Sequence, residues 1–231
     1  FSFFLSILNI YLFFNIFVKK QFLKKHLEDI YIFFLIIIFS LVLTIFVNQT
    51  NLLDNIINVL SSIATSGIST NNEVGNYTFY LLLLTILGGS IISNTSGIKF
   101  LRFYILLKSS FIEISKLVRP NDVVKQSILL SNNKINNENI KLSFLIFISF
   151  FISIFLLSAF LIFDNMNFET AFKLSILTLT NTSSSSLYGL DNIDYSSLLT
   201  STKLFLIIFM IIGKIELISF FLIIKKVFFK N

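Results

Sequence analysis

Two short polar segments interrupt the long apolar runs of this sequence, and both are rich in hydroxyl side chains. The first polar segment, residues 63–70, reads IATSGIST, and the second polar segment, residues 178–186, reads TLTNTSSSS. Hydroxyl and backbone carbonyl oxygens are groups that can replace the water around an ion in a selectivity filter. The chemistry these segments offer is therefore the coordination of a dehydrated cation.

The two polar segments occupy matching positions in an internal repeat. Gly67 and Ser183 are 116 positions apart (183 minus 67), and Gly97 and Gly213 have the same spacing. In each copy a short apolar stretch, LSSIATSG or ILTLTNTS, leads into the hydroxyl run. Self-similarity of this kind indicates two copies of one unit: apolar span, short helix, polar hairpin and second span.

The composition is typical of a membrane protein. Hydrophobic residues make up 55% of the chain, and its mean hydropathy is +0.87, well above that of soluble domains. The absence of cysteine excludes disulfides, a thiol nucleophile and a cysteine-ligated metal. The sequence contains no phosphate-binding glycine loop, nucleophile–base pair or metal-spaced cluster, and the lone His26 lies in a basic loop. We expect no enzymatic activity and no bound cofactor.

Apolar run lengths predict the membrane spans. The uncharged stretches 30–47 and 142–163 are long enough for helices that cross about 30 Å of hydrocarbon. Two further stretches are broken, 77–107 by residues 93–97, Lys99 and Arg102, and 204–224 by residues 213–216. Residues 54–64 and 168–179 are too short to span and are predicted to be pore helices. The predicted fold class is an all-α polytopic membrane protein with helix–pore loop–helix repeats.

Charged residues predict the orientation of the spans. Basic residues concentrate at 19–26, 108–141 and 225–230, which the positive-inside rule places in the cytoplasm. The polar segments then open to the outside, among six acidic residues that either attract cations or belong to ordinary polar loops. These residues are Asp54, Glu73, Asp164, Glu169, Asp191 and Asp194. Anionic lipid headgroups are adequate partners for the net charge of +6, so we expect no nucleic-acid partner.

Three stretches resemble the ion-translocating subunits of the Trk/Ktr/HKT superfamily of potassium transporters, nearest to the bacterial TrkH type. They are NVLSSIATSGIST (58–70), LGGSIISNTSGIKFLRFYILLK (87–108) and IIGKIELISFFLII (211–224). Members of this superfamily carry four membrane–pore–membrane repeats around one pore, and the resemblance covers about half of a typical chain.

The resemblance implies a division of the chain into the end of one repeat and two complete repeats. The implied parts are the end of a preceding repeat's second membrane helix (1–18), a cytoplasmic basic loop (19–29), a third-repeat-like unit (30–117), a cytoplasmic linker (118–140) and a fourth-repeat-like unit (141–231).

The resemblance also implies which residues line the ion filter. These are Thr65, Ser66, Gly67 and Ile68 in the first polar segment, and Thr180, Asn181, Thr182, Ser183 and Ser184 in the second. Gly67 matches the signature glycine of the filter, with a simple turn residue as the alternative. Ser183 stands where glycine is usual, and serine for this glycine in another repeat is associated with sodium permeation. The preference for potassium over sodium therefore stays open.

Residues 88–97, named here the glycine-flanked loop, resemble an intramembrane loop that gates the pore beneath the filter. The implied gate residues are Ser93, Asn94, Thr95, Ser96, Gly97 and Arg102. Arg102 matches a basic residue that opposes leak, with snorkelling to the headgroups as the alternative, and Lys99 is expected to snorkel. Lys214 and Glu216 match a basic-x-acidic pattern and are expected to pair with neighbouring helices.

As a whole, the resemblance implies potassium uptake through a multi-pass protein of the bacterial inner membrane, with transported K⁺, or Na⁺, as the only bound ion. It also implies a homodimer within the lipid bilayer and a cytosolic nucleotide-binding regulatory subunit, for which the basic 108–141 region is a docking surface. The alternatives are a sodium-permeable member, a truncated non-conducting scaffold, and an unrelated secondary transporter with discontinuous helices.

Overall fold

The computed structural model describes residues 2–15, 27–46, 51–69, 77–119, 136–184, 186–190, 193, 195–196 and 198–215, and in these the secondary structure is entirely helical. The helices are α1 (Ser2–Ile7), α2 (Ile10–Phe14), α3 (Leu27–Phe46), α4 (Leu52–Ile63), α5 (Thr78–Leu87), α6 (Phe100–Val118), α7 (Asn137–Phe163), α8 (Phe168–Leu179) and α9 (Thr200–Ile215), with a 3-10 turn at Ser186–Tyr188. The predicted all-α fold is confirmed.

Several predicted features lie outside the described residues. They are the basic loop 19–26, most of the linker 118–140, the tail 225–230, and the acidic residues Glu73, Asp191, Asp194 and Glu216.

Two of the described helices are long and apolar enough to cross a membrane, at 28–46 and 137–163. The serines within α7 do not break it, because their hydroxyls donate to carbonyls of the preceding turn, as Ser153 does to Ser149 at 2.8 Å. Large apolar side chains such as Phe34 and Phe155 are exposed on the outer faces of α3 and α7. Such faces suit a hydrocarbon environment.

The two short helices α4 and α8 each contain 12 residues. α8 begins 116 positions after α4 begins, and it ends 116 positions after α4 ends. A helix of this length is about 18 Å long, which is too short to cross a bilayer. α4 packs against α3 and α5, while α8 packs against α7 and α9. Their C-terminal halves are buried, so both helices direct their last turns into the interior.

The helices that follow the two polar segments differ from each other. The break between α5 and α6 extends from Gly88 to Lys99, wider than the predicted 93–97. By contrast, α9 continues through Gly213 and Lys214 to Ile215, so the predicted interruption at 213–216 does not occur in its described part. The described part of 1–18 is also not one continuous helix. It breaks at Asn9, whose side chain accepts a hydrogen bond from the Tyr11 N–H.

Candidate functional site

The first polar segment begins at the turn that ends α4. The N–H of Thr65 donates to the Ser62 carbonyl and the N–H of Ser66 donates to the Ser61 carbonyl, both at 3.0 Å. This pair of bonds is a Schellman turn, which satisfies the last carbonyls of the helix. It places Thr65 at φ 54°, a left-handed conformation that costs a β-branched residue about 1–2 kcal/mol.

The second polar segment begins with the same turn at the end of α8. The N–H of Asn181 donates to the Thr178 carbonyl at 3.2 Å, and the N–H of Thr182 donates to the Leu177 carbonyl at 2.9 Å. Asn181 has φ 51°, and it lies 116 positions after Thr65. The two predicted filter segments therefore leave their helices with matching backbone geometry.

The two polar segments are in direct contact. The Ser183 hydroxyl donates to the Ser66 carbonyl at 2.5 Å, and the hydroxyls of Ser69 and Ser186 are 2.8 Å apart. Gly67 lies at φ 74°, and a Cβ at this position would be 2.5 Å from the Ser183 carbonyl oxygen. Both this φ and the close approach of the second segment therefore favour glycine at this position.

Most polar side chains of the second segment face the surrounding helices. The Thr180 hydroxyl is fully buried and is bonded to the Ile176 carbonyl at 2.9 Å and to the Thr182 hydroxyl at 2.7 Å. The Asn181 amide donates to the Met210 carbonyl on α9 at 2.9 Å. These bonds fix the backbone of the segment, so its carbonyls rather than these side chains are available as ligands.

Ser183 and Ser184 lie beside a cavity at the end of the second polar segment. Both line a space of about 240 Å³ together with Thr178, Thr182 and Tyr195. The hydroxyls of Ser184 and Tyr195 are 2.5 Å apart. Tyr195 was not identified from the sequence, since it lies in a polar stretch with no apolar periodicity to mark it.

In the first segment, the Ser66 hydroxyl is bonded to the Ser61 hydroxyl at 2.9 Å, and Ile68 is exposed.

Tyr188 is fully buried, and its hydroxyl is 3.4 Å from the Ser62 hydroxyl on α4. The sequence signal for Tyr188 was an apolar Leu-Tyr pair after the serine run, which marks a packed element and not a simple loop.

The glycine-flanked loop is held from inside by Lys99. The Lys99 ammonium is 4% exposed and donates to the carbonyls of Ser93 (3.1 Å) and Thr95, and to the Ser93 hydroxyl at 3.2 Å. The prediction that Lys99 snorkels to the headgroups is therefore wrong. An ammonium buried among loop carbonyls gains several charge-assisted hydrogen bonds that a distant headgroup cannot provide.

A lysine near the end of α9 also binds the glycine-flanked loop. The Lys214 ammonium on α9 donates to the Asn94 carbonyl at 3.0 Å and to its side-chain oxygen at 3.2 Å. The expected partner of Lys214 was a group on a neighbouring helix, and the observed partner is instead a residue of the glycine-flanked loop. Lysines of both repeat-like units therefore bind the same loop.

The loop surrounds a small polar cavity of about 170 Å³. The described residues that line it are Ile91, Ser93, Asn94, Thr95, Ser96, Gly97, Lys99, Gly213 and Lys214. All five predicted gate residues of the loop are thus brought together. Arg102 lies on the first turn of α6, half-buried, and is not in this set, so its gate role stays a prediction.

Two of the predicted acidic residues that the structure describes, Asp164 and Glu169, have structural partners. The Asp164 carboxylate accepts hydrogen bonds from the Leu199 N–H (2.9 Å) and the Thr202 hydroxyl (2.8 Å) at the start of α9. Glu169 forms a 2.6 Å ion pair with Lys173 one turn further along α8. Helix capping accounts for Asp164, and the ion pair reduces the field that Glu169 offers to a cation.

The chain is similar to known transporters in structure and in sequence. The structure is similar to the crystal structure of the potassium transporter TrkH from Vibrio parahaemolyticus, with a TM-score of 0.78 and 20% identity over 96% of this chain and 50% of that chain. The sequence is 27% identical over 129 residues to an uncharacterised cation transporter of Methanocaldococcus jannaschii, which covers 51% of this chain and 27% of that protein. No protein-family model matches the chain.

The chain thus spans half of the TrkH chain and a smaller share of the archaeal protein. At this level of identity, the likeness to TrkH concerns the fold. The predicted resemblance is confirmed at that level: the chain has the all-α fold of half of a TrkH-type transporter.

Proposed function

We propose that this chain forms part of a pore that conducts monovalent cations across a membrane, with the two polar segments as walls of its filter. The matched turns after α4 and α8, joined by the Ser183–Ser66 hydrogen bond, carry this proposal. They bring the C-terminal ends of two helices together, and each such end has a partial negative charge that favours a cation. Transport of this kind changes no chemical bond, so the protein is not an enzyme.

Potassium is the proposed main substrate, and sodium is the alternative. The names of the similar proteins support a cation, since one is a potassium transporter and the other a cation transporter. Sodium stays a candidate because of Ser183. The Ser183 hydroxyl donates a hydrogen bond to the Ser66 carbonyl, which would otherwise be free to bind an ion. The ion passes down its electrochemical gradient.

The glycine-flanked loop is the proposed gate of this pore. Non-helical backbone within a membrane must be lined by protein or water, and here Lys99 and Lys214 bind its carbonyls. A cation moving past the loop would also meet the positive charge of these two ammonium groups. The observed arrangement is therefore proposed to be a closed state.

We expect Lys99→Met to raise the resting cation leak by at least about tenfold. The substitution keeps the length of the side chain and removes hydrogen bonds from a charged donor, each of which contributes about 1.5–3 kcal/mol. A change of about 1.4 kcal/mol shifts the open-to-closed ratio tenfold. Leak is measured as Na⁺ and K⁺ flux from loaded proteoliposomes, with Lys108→Met, on the helix α6 that Lys99 precedes, as the control. An unchanged leak would contradict the locking role of Lys99.

Arg102→Ala tests the role that the resemblance implies for this residue. If Arg102 opposes cation leak, its removal raises the resting flux in the same proteoliposomes by several-fold, because a repulsive charge near the path is lost. Equal leak in Arg102→Ala and the parent protein would favour snorkelling to the headgroups.

We further propose that the chain belongs to the TrkH-type family, lies in the bacterial inner membrane as a multi-pass protein, and has two partners; the likeness in fold to TrkH supports this. The partners are a second copy of the protein and a cytosolic nucleotide-binding regulatory subunit that docks on the basic 108–141 region. Cross-linking in membranes and pull-down with and without this region test the two partners separately.

The function is tested by K⁺ and Na⁺ uptake into proteoliposomes that carry the protein. We expect uptake of one or both ions above that of protein-free vesicles, with exclusion of anions. The absence of any cation flux in correctly folded protein would favour a non-conducting scaffold. Flux that requires a second, coupled substrate would favour a secondary transporter.

A further inference from the structure

The backbone of the glycine-flanked loop lies against the N-terminal segment of the chain. The N–H of Ser90 donates to the Ile7 carbonyl at 3.0 Å, and the N–H of Asn94 donates to the Ser6 carbonyl at 3.1 Å. In the opposite direction, the N–H of Ile10 donates to the Ile92 carbonyl at 3.1 Å. This segment precedes the third-repeat-like unit, which contains the loop. Residues outside that unit therefore bind the loop.

Glu28, in the first turn of α3, joins the loop to the helix that follows it. Its Oε1 accepts a hydrogen bond from the Ile91 N–H at 3.0 Å, and the backbone of Leu101, in the first turn of α6, provides a second hydrogen bond. The first N–H groups of a helix have no partner within the helix, and a carboxylate at that end is favourable. The Lys99 charge also acts on this carboxylate.

The next residue binds the N-terminal segment in the same manner. Asp29 is 2% exposed, and its Oδ1 accepts a hydrogen bond from the Asn9 N–H at 3.0 Å. Asn9 lies at the break between α1 and α2, between Ile7 and Ile10, which both bond to the loop. The neighbouring carboxylates of Glu28 and Asp29 therefore bind two segments that contact each other. Glu28 binds the glycine-flanked loop, and Asp29 binds the N-terminal segment.

We propose that Glu28 is a positioning residue for the gate: its carboxylate holds the glycine-flanked loop in the closed arrangement by bridging Ile91 and the start of α6. The proposal depends on the function proposed above for this loop. Displacement of the loop from α3 must break the Glu28–Ile91 bond and leave a carboxylate and an N–H without partners at a partly buried site. The stability of the closed loop is thus set partly at the start of α3, within the range 19–29 that the resemblance assigned to a cytoplasmic loop.

The test uses the absence of cysteine from the chain. A single Ser96→Cys substitution places a thiol on the loop, where Ser96 is 4% exposed and lines the 170 Å³ cavity. The rate at which a water-soluble maleimide modifies this thiol reports how often the loop opens. In this background we expect Glu28→Ala to raise the rate by about tenfold. Glu28→Gln should raise it less, because the amide oxygen can still accept the Ile91 N–H.

Cation flux provides the second readout. We expect Glu28→Ala to raise the maximal rate of uptake with little change in KM, because the filter is unaltered while the open fraction increases. The matched control is Glu113→Ala, which removes an exposed carboxylate of α6 that pairs with Lys116. In vesicles that contain this protein without a regulatory subunit, Glu113→Ala should change neither the labelling rate nor the flux.

The outcomes separate this proposal from the function on which it depends. Unchanged labelling in Glu28→Ala overturns the positioning role of Glu28. Faster labelling without any change in flux supports the role of Glu28 and contradicts the gate function of the loop. If Glu28→Ala does not fold, Glu28→Asp is measured instead, since its carboxylate is retracted by one methylene. Labelling of Glu28→Asp at the parent rate would then overturn the proposal.

Discussion

Replacing Gly67 with alanine is expected to lower cation flux by at least about tenfold. Gly67 has φ 74°, and an added Cβ would lie 2.5 Å from the Ser183 carbonyl oxygen and 2.6 Å from its hydroxyl. Rotation of the Ser183 side chain can relieve the hydroxyl contact but not the carbonyl contact, because the carbonyl belongs to the backbone of the second polar segment. The two segments must separate, and the proposed filter loses its geometry.

Gly189→Ala is the matched control for this prediction. Gly189 also has a positive φ, 68°, but the nearest atoms to an added Cβ are 3.8 Å away. Both variants therefore carry the backbone strain of alanine in this region, about 1 kcal/mol, and only Gly67→Ala carries the steric clash. Uptake of K⁺ in proteoliposomes is the measurement. Equal uptake by the two variants would mean that Gly67 serves only as a turn residue.

The second large effect is expected in ion preference. Ser183→Gly removes the hydroxyl that donates to the Ser66 carbonyl at 2.5 Å, and it restores the residue type that the resemblance predicts at this position. The released carbonyl becomes available as a ligand, so we expect the ratio of K⁺ to Na⁺ permeability to rise by about tenfold. That ratio corresponds to about 1.4 kcal/mol, near the upper end of the net contribution of one hydrogen bond.

Ser183→Ala separates the effect of losing the hydroxyl from the effect of the greater backbone freedom of glycine. Alanine releases the Ser66 carbonyl but keeps a Cβ and the backbone restriction, so its selectivity should lie between those of serine and glycine. Ser184→Ala is the control, because the Ser184 hydroxyl is bonded to Tyr195 and not to the first segment. Permeability ratios come from reversal potentials in planar bilayers. If Ser183→Gly leaves the ratio unchanged, the Ser183–Ser66 bond does not set selectivity.

The parts of the fold that sequence predicted well are those fixed by local pattern. Helix α8 was predicted with its observed bounds, and α4 within two residues, because each is an apolar stretch that ends at a hydroxyl run. The long spans α3 and α7 followed from uncharged length alone. These features depend on residues that are near in sequence, so a single chain is sufficient to predict them.

The roles of the charged residues could not be predicted in the same way. Lys99 was expected to snorkel, because the sequence does not reveal that the loop folds its carbonyls around this side chain. Glu28 and Asp29 lie just before an apolar span, where acidic residues usually face water. Their partners, Ile91 and Asn9, are distant in sequence, and only the tertiary structure brings them together.

Equal spacing also did not guarantee equal structure. Gly97 and Gly213 are 116 positions apart, like the two short helices, but Gly97 lies in the loop with φ 84° and Gly213 lies within α9. In α9 the chain stays helical and packs closely against the Leu179 carbonyl at the end of α8. The difference arises because the first unit has a run of small and polar residues after α5, which favours irregular backbone, whereas α9 has an apolar run at the matching place.

Chemical block of a single thiol tests the central claim, that cations pass between the two polar segments. These 231 residues contain no cysteine, so Ser183→Cys would be the sole thiol among them, placed beside the 240 Å³ cavity. Ser201→Cys, on the exposed first turn of α9, is the control and exchanges the same residue type. We predict that a positively charged methanethiosulfonate added from outside abolishes cation uptake by Ser183→Cys and leaves Ser201→Cys unaffected. Full uptake by completely modified Ser183→Cys would contradict a pathway between these segments.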